Sequence, residues 1–303
     1  MDGLLFSDLT VWSMDWTLLI LLVVPTVVHG NPTVTVRTGS GPPVGSNQHP
    51  NSVPLSEDTQ TTTEVREVVV EEVMMTGMLN PSHYPARRAA TVVQHYLNTR
   101  YGSPYRWIFL SKVHSGSAED VAEMRKYQLE LTMQEIISNV SGQCSAELLF
   151  PGGEGQSAPQ VQASCEGLLQ SNTTAQEEAF YQQHRASNNM VSGNDIPDSY
   201  GHMEPNMKPF WHLGGVASSF IMLRESNEST LYNMAQVANF TQLETEKDQL
   251  RVNYHVLLHE MISQEIIHWK LLVTWSPEQG VQVLQTELQP KCHNCEAPPN
   301  TTN

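Results

Sequence analysis

Basic residues are scarce in this chain: 16 lysines and arginines stand against 32 aspartates and glutamates, for a formal net charge of −16. A chain with so little positive charge has no evident basic patch for a phosphate backbone. This argues against nucleic acid or an anionic membrane surface as partner, and the acidity suits a solvated extracellular surface. Cysteine is scarce as well, with only Cys144, Cys165, Cys292 and Cys295. Cys292-His293-Asn294-Cys295 has the spacing of a metal or redox pair, but a structural zinc site needs four ligands and no second pair exists. A local or interdomain disulfide is the expectation there. The apolar share of 39% is low for 303 residues, so part of the chain is expected to be unfolded.

Signatures of catalysis are also missing. No Gly-x-Ser-x-Gly elbow occurs. Gly152-Gly153-Glu154-Gly155 precedes no helix and reads as a hairpin turn. His259-Glu260-Met261-Ile262-Ser263 begins like a zinc-protease helix, but Ser263 stands where the second histidine must be. Neither enzyme activity, nor a cofactor, nor a metal is expected.

The longest apolar run, Trp16 to Val28, is uncharged and short for a membrane span of about 20 residues. It suits a signal-peptide core, with Val28 and Gly30 small enough to precede cleavage before Asn31. An uncleaved anchor is the alternative, tethering the chain to a membrane through residues 16–28. Asp2, Asp8 and Asp15 precede the run without any lysine or arginine, and a start at Met14 shortens that awkward stretch. Residues 1–30 are therefore read as signal peptide or signal anchor, and the chain is expected to enter the secretory pathway. Five Asn-x-Ser/Thr triplets, at Asn139, Asn172, Asn227, Asn239 and Asn300, point to a glycoprotein.

Residues 31–80 are dominated by Pro, Ser, Thr, Gly and Asn and read as a disordered linker. Within them Val68 to Met75 fits either an edge strand or a short helix. From Tyr84 the pattern changes. Pro85 opens a run in which Ala86, Ala89, Val93 and Leu97 recur at helical spacing, ended by Gly102. Tyr127, Leu129, Leu131 and Met133 then alternate with polar residues, as a half-buried antiparallel strand does. Cys144, Ala146, Leu148 and Phe150 alternate likewise, and after a glycine-rich turn so do Val161, Ala163 and Cys165. Pairing Leu148 with Val161 places Cys144 opposite Cys165, so a cross-strand disulfide is expected, worth about 3 kcal/mol in the chain-entropy account.

The pattern then repeats. Residues 171–195 carry a polar connecting helix over 174–186. A second apolar helix opens at Pro209 and runs to Leu223, with Gly214 and Gly215 inside it. Two glycines in mid-helix imply a close approach, here expected to be against a sheet. Val252 to Leu258 and Trp269 to Trp275 alternate, and Ser276 to Gly280 turns into a last strand, Val281 to Leu284. The reading is α+β: helix plus antiparallel sheet over residues 81–170, again over 196–290, then a polar tail over 291–303.

Several segments resemble the latexin family: His83-Tyr84-Pro85-Ala86-Arg87-Arg88-Ala89-Ala90, Cys144-Ser145-Ala146-Glu147, Asn194-Asp195-Ile196-Pro197-Asp198-Ser199-Tyr200-Gly201, and the longest, Tyr254 to Ile267. They fall in order over most of residues 82–288. The apolar N-terminus and the Cys144/Cys165 pair resemble secretory members more than latexin itself. The resemblance implies two cystatin-like subdomains, each a helix wrapped by an antiparallel sheet, joined by a helix. It also implies inhibition of zinc metallocarboxypeptidases of the A/B type, with the segment between two strands of the second subdomain at the mouth of the enzyme. Carried over, that contact is His259, Gln264 and Glu265. A non-inhibitory interaction or matrix protein on the same fold is the competing expectation. A cystatin-type protease loop is not supported: Gln236-Val237-Ala238-Asn239 departs from Gln-x-Val-x-Gly.

Overall fold

The computed structural model describes residues 76–152, 157–186 and 190–290. The N-terminal apolar run, Val68 to Met75, Cys292, Cys295 and Asn300 lie outside them. Strand β1 (Gly77–Leu79) precedes helix α1 (Tyr84–Tyr101), and four strands follow: β2 (Ile108–Val121), β3 (Met124–Glu135), β4 (Val140–Pro151) and β5 (Gln160–Glu166). Helix α2 (Thr174–Arg185) connects to a second set: β6 (Ser192–Ile196), α3 (Lys208–Glu225), β7 (Tyr232–Glu246), β8 (Gln249–Glu260), β9 (Glu265–Ser276) and β10 (Gly280–Leu288). Each set of strands forms one antiparallel meander, in spatial order β1-β2-β3-β4-β5 and β10-β9-β8-β7-β6. Strand, helix, four strands therefore occurs twice, the tandem α+β order that the sequence predicts.

The first helix forms where its pattern demands. Pro85 sits in its first turn, and the Gly102 N–H closes on Asn98 O at its end. Ala86, Ala89, Val93 and Leu97 are sealed in the core. Its polar residues Gln94, His95 and Asn98 are buried too, Gln94 and Asn98 against β2 and His95 against the second half. A buried polar group must find a partner, and these find backbone. Asn98 exchanges two hydrogen bonds with Ile108, at 2.7 and 2.8 Å. Gln94 Oε1 accepts from Leu110 N at 2.8 Å, beside a register shift between Leu110 and Lys112. His95 Nε2 meets the Tyr232 carbonyl of the second half at 3.2 Å.

The two helical glycines have different neighbours. Gly214 lies against Val237 and Tyr254 of its own sheet, as expected. Gly215 instead faces the Trp107 indole of the first half, where an added Cβ would come within 2.2 Å of the ring. Trp107 also packs edge-on against Trp211, with ring centroids 4.7 Å apart. The glycine pair thus serves two contacts, one within its half and one between halves.

The hairpin of β4 and β5 pairs Leu148 with Val161, Ala146 with Ala163 and Cys144 with Cys165, and a disulfide of 2.06 Å joins the two sulfurs.

Three boundaries differ from the sequence reading. Gly77–Leu79, assigned to the linker, pairs with β2 as an edge strand, held by the buried Leu79 side chain. Ser192–Ile196, assigned to the connector up to residue 195, pairs with β7 and buries Ile196. The last strand extends to Leu288, because the register shift between Val283 and Gln285 breaks its alternation without ending its pairing.

Candidate interaction site at the β8–β9 turn

His259 and Glu260 end β8, and Glu265 begins β9. His259 pairs with Ile266, and Glu260 with Glu265, so the turn proper is Met261 to Gln264. The strand brings Glu260 into the turn as a buried group, 6% exposed. Its Oε1 accepts from Leu231 N at 2.8 Å and from Ile262 N at 3.1 Å. Its Oε2 accepts from Ser263 N at 2.6 Å. Burial alone would raise the carboxyl's pKa, but the hydrogen bonds from Ser263, Leu231 and Ile262 outweigh it and hold it below the usual value. An ionised carboxylate thus organises the turn from beneath.

Gln264 closes the turn with φ of +60°, a left-handed conformation that costs a non-glycine residue roughly 1 kcal/mol. Its side-chain Nε2 donates back to the Met261 carbonyl, and Met261 N donates to Leu231 O at 2.8 Å. The backbone is fixed on both sides while the outer surface stays open. Met261, Ile262 and Ile266 are 38%, 42% and 45% exposed, and Ser263, Gln264 and Glu265 are exposed with them. Three large apolar side chains are thus exposed within six residues of one turn. Ile266, Ile267, Leu288 and Pro290 help line an open groove of about 620 Å³ beside the turn.

The residues carried over from the resemblance thus fall together at one end of the second sheet. His259 is half-buried on β8, and Gln264 and Glu265 stand at the tip. What the sequence reading missed is Glu260, considered there only as part of a failed zinc motif. The signal was an internal repeat. Glu135-Ile136-Ile137-Ser138-Asn139 and Glu260-Met261-Ile262-Ser263-Gln264 match in pattern, and each joins the third and fourth strands of its half.

Elsewhere, Asn139, Asn172, Asn227 and Asn239 are all exposed. Gln236 to Asn239 lies within β7 rather than in a loop, with Val237 sealed in the core. Among the described residues, no group of three or more His, Cys, Asp or Glu side chains is placed to share a metal ion. His255 Nε2 and His268 Nδ1 lie 3.1 Å apart on the exposed face of the second sheet.

Comparison with known proteins gives a consistent answer. The family profile described as latexin matches residues 79–293. Latexin of Mus musculus is 35% identical over 213 residues, spanning 70% of this chain and 96% of that protein. Retinoic acid receptor responder protein 1 of Homo sapiens is 29% identical over 208 residues, spanning 65% of this chain and 70% of its own length. Ovocalyxin-32 of Gallus gallus is 31% identical over 208 residues, spanning 68% and 74%. With the profile covering both sheets and both large helices, the chain belongs to the latexin family.

Proposed function

We propose that this chain is a protein inhibitor of a zinc metallocarboxypeptidase of the A/B type, and that the β8–β9 turn enters the enzyme's active-site mouth. The observation that carries this reading is the combination at the turn: exposed Met261, Ile262, Gln264, Glu265 and Ile266 on a backbone fixed by the buried Glu260 carboxylate. A loop already held in one conformation loses little entropy on docking. Apolar side chains beside polar ones give a desolvated contact with an oriented tip. Gln264 and Glu265 occupy the funnel that admits a substrate C-terminus, and inhibition follows from steric exclusion without chemistry on the inhibitor. Entry into the secretory pathway, with the N-terminal apolar run cleaved or retained as a tether, places the inhibitor with extracellular carboxypeptidases.

The test is titration of carboxypeptidase A with the full chain from a mammalian secretory host, beside a Gln264→Ala, Glu265→Ala variant. Tight inhibition by the parent, weakened at least tenfold in the variant, is expected. A folded parent that leaves the enzyme fully active moves the function to a non-inhibitory interaction protein on the same fold.

A further inference from the structure

The first half holds a second copy of the candidate docking turn, and that copy has a different tip. Glu135 and Val140 bracket it in register as Glu260 and Glu265 bracket the other. Asn139, with φ of +62°, stands where Gln264 stands with φ of +60°. Asn139-Val140-Ser141 is an acceptor triplet for N-linked glycan, while Gln264-Glu265-Ile266 is not. We propose that Asn139 carries an N-glycan that covers the β3–β4 turn, so that of the two equivalent turns only the β8–β9 turn is open to a protein partner. Attachment stands on the geometry of the first turn alone; what the cover means for partner choice rests on the docking reading above.

The side-chain arrangement suits attachment. Asn139 and Ser141 are both exposed. Asn139 Oδ1 accepts from Gln134 Nε2, and Gln134 pairs in register with Ser141. With the oxygen side of the amide turned to Gln134, Nδ2 lies on the opposite edge. The turn's backbone is held by Glu135, whose Oε1 accepts from Ile137 N and Oε2 from Ser138 N, each at 2.8 Å. A substituent on Asn139 Nδ2 therefore breaks none of those bonds. At Asn172 and Asn227 the amide oxygen is likewise the engaged atom, whereas at Asn239 it is the nitrogen. Asn172 Oδ1 accepts from Thr174 N at the start of α2. Asn227 Oδ1 accepts from both Ser229 N and Ser229 Oγ. Asn239 lies in mid-sheet between Asn194 and His255, with its Nδ2 3.4 Å from His255 Nδ1.

The reaction needs a lipid-pyrophosphate-linked oligosaccharide as donor. Asn139 Nδ2 loses one hydrogen and bonds the anomeric carbon of the first sugar. The bond from that carbon to pyrophosphate oxygen breaks, and the lipid pyrophosphate departs with the balancing proton. Transfer occurs during chain entry into the secretory lumen, so the exposure of Asn139 in the fold ensures that an attached glycan is accommodated.

The test is glycopeptide mass spectrometry on the full chain secreted from mammalian cells, before and after an amidase that releases the glycan and leaves an aspartate in place of the modified asparagine. The peptide containing Asn139 is expected to carry glycan, and after treatment to show the mass increment of that conversion at position 139. Asn139→Gln and Ser141→Ala are each expected to remove one glycan-sized step from the intact mass, and Ser141→Thr to retain it. Unmodified Asn139 in the secreted parent, or no mass step in folded Ser141→Ala, overturns the proposal. Because this readout needs no carboxypeptidase, its failure is distinct from failure of the inhibition assay.

Discussion

Glu135 and Glu260 are structural counterparts: each is a buried carboxylate at the end of a strand that accepts backbone N–H groups from the turn following it and from the residue just before the first long strand of its half. For Glu135 that residue is Trp107, at 3.3 Å; for Glu260 it is Leu231, at 2.8 Å. The duplication thus extends beyond strand order to a side chain and its hydrogen bonds. The two turns then diverge at their surfaces, where Ile136 and Ile137 are partly buried while Met261 and Ile262 are exposed. A common support carries two different outer faces, as expected if one face has taken on a binding role and the other has not.

Removing either carboxylate orphans three N–H groups, which predicts Glu135→Ala and Glu260→Ala to lose about 1–3 kcal/mol each. Only Glu260→Ala is expected also to weaken carboxypeptidase inhibition, because its turn is the one proposed to contact the enzyme. Urea melts paired with inhibition titrations separate the two effects. Equal loss of inhibition in both variants would show that general destabilisation, rather than the β8–β9 turn, governs binding.

Gln264 holds a left-handed backbone conformation that glycine adopts without strain. Gln264→Gly is expected to leave stability within about 1 kcal/mol of the parent, as relief of strain offsets the lost bond to Met261 O and the added freedom of the unfolded chain. Inhibition is nonetheless expected to fall, since the side chain at the tip is gone. Thermal melts and inhibition constants on the same preparation read both quantities, and unchanged inhibition would remove Gln264 from the contact.

Gly215→Ala places a methyl group against the Trp107 ring, where an added Cβ meets atoms at 2.2 to 2.7 Å; the same change at Gly214 meets Val237 and Tyr254 at 3.0 to 3.3 Å. Overpacking of this kind costs about 1–3 kcal/mol. Gly215→Ala is expected to be the more destabilising of the two, and to change Trp107 fluorescence because the clash lies on the indole. The reverse order of melting temperatures would mean that the halves separate more easily than the packing implies.

The fold was legible in the sequence where apolar alternation or helical spacing is unbroken, as in β3, β4, β8 and β9. It was obscure in β2 and β7, whose alternation is interrupted by register shifts, between Leu110 and Lys112 and between Val113 and Ser115 in one, and between Met234 and Gln236 and between Val237 and Asn239 in the other. A shift exchanges the inward and outward faces, so a strict period-two reading fails although the strand continues. The short edge strands β1 and β6 were missed because each contributes a single anchored apolar residue, Leu79 or Ile196. At the candidate site, the exposed tip came from resemblance, while Glu260 went unrecognised because a carboxylate that caps its own turn leaves no periodic mark. Its mark is the repeat with Glu135, visible only when the two halves are laid side by side.

His95 joins the halves through Tyr232 O and is buried, which pushes its pKa down to about 4 from 6.5 against the smaller opposing effect of that hydrogen bond. Folding keeps the ring neutral, whereas the unfolded chain takes up a proton as pH falls below 6.5. Stability is therefore full above about pH 6.5 and declines as pH drops toward about 4, by up to about 3 kcal/mol from this group. Burial lowers the pKa of His184 and His212 as well, and both act in the same direction. Depressed carboxylates such as Glu260 begin to lose their contribution only as pH falls into the ordinary carboxyl range, so the interval from about pH 6.5 to about 5 reads the histidines. Urea midpoints measured across that interval are expected to fall with pH in the parent and to fall less steeply in His95→Gln, whose amide retains a donor for Tyr232 O. An unaltered slope in the variant would mean that His95 is solvated when protonated and that the contact between the halves opens before it titrates.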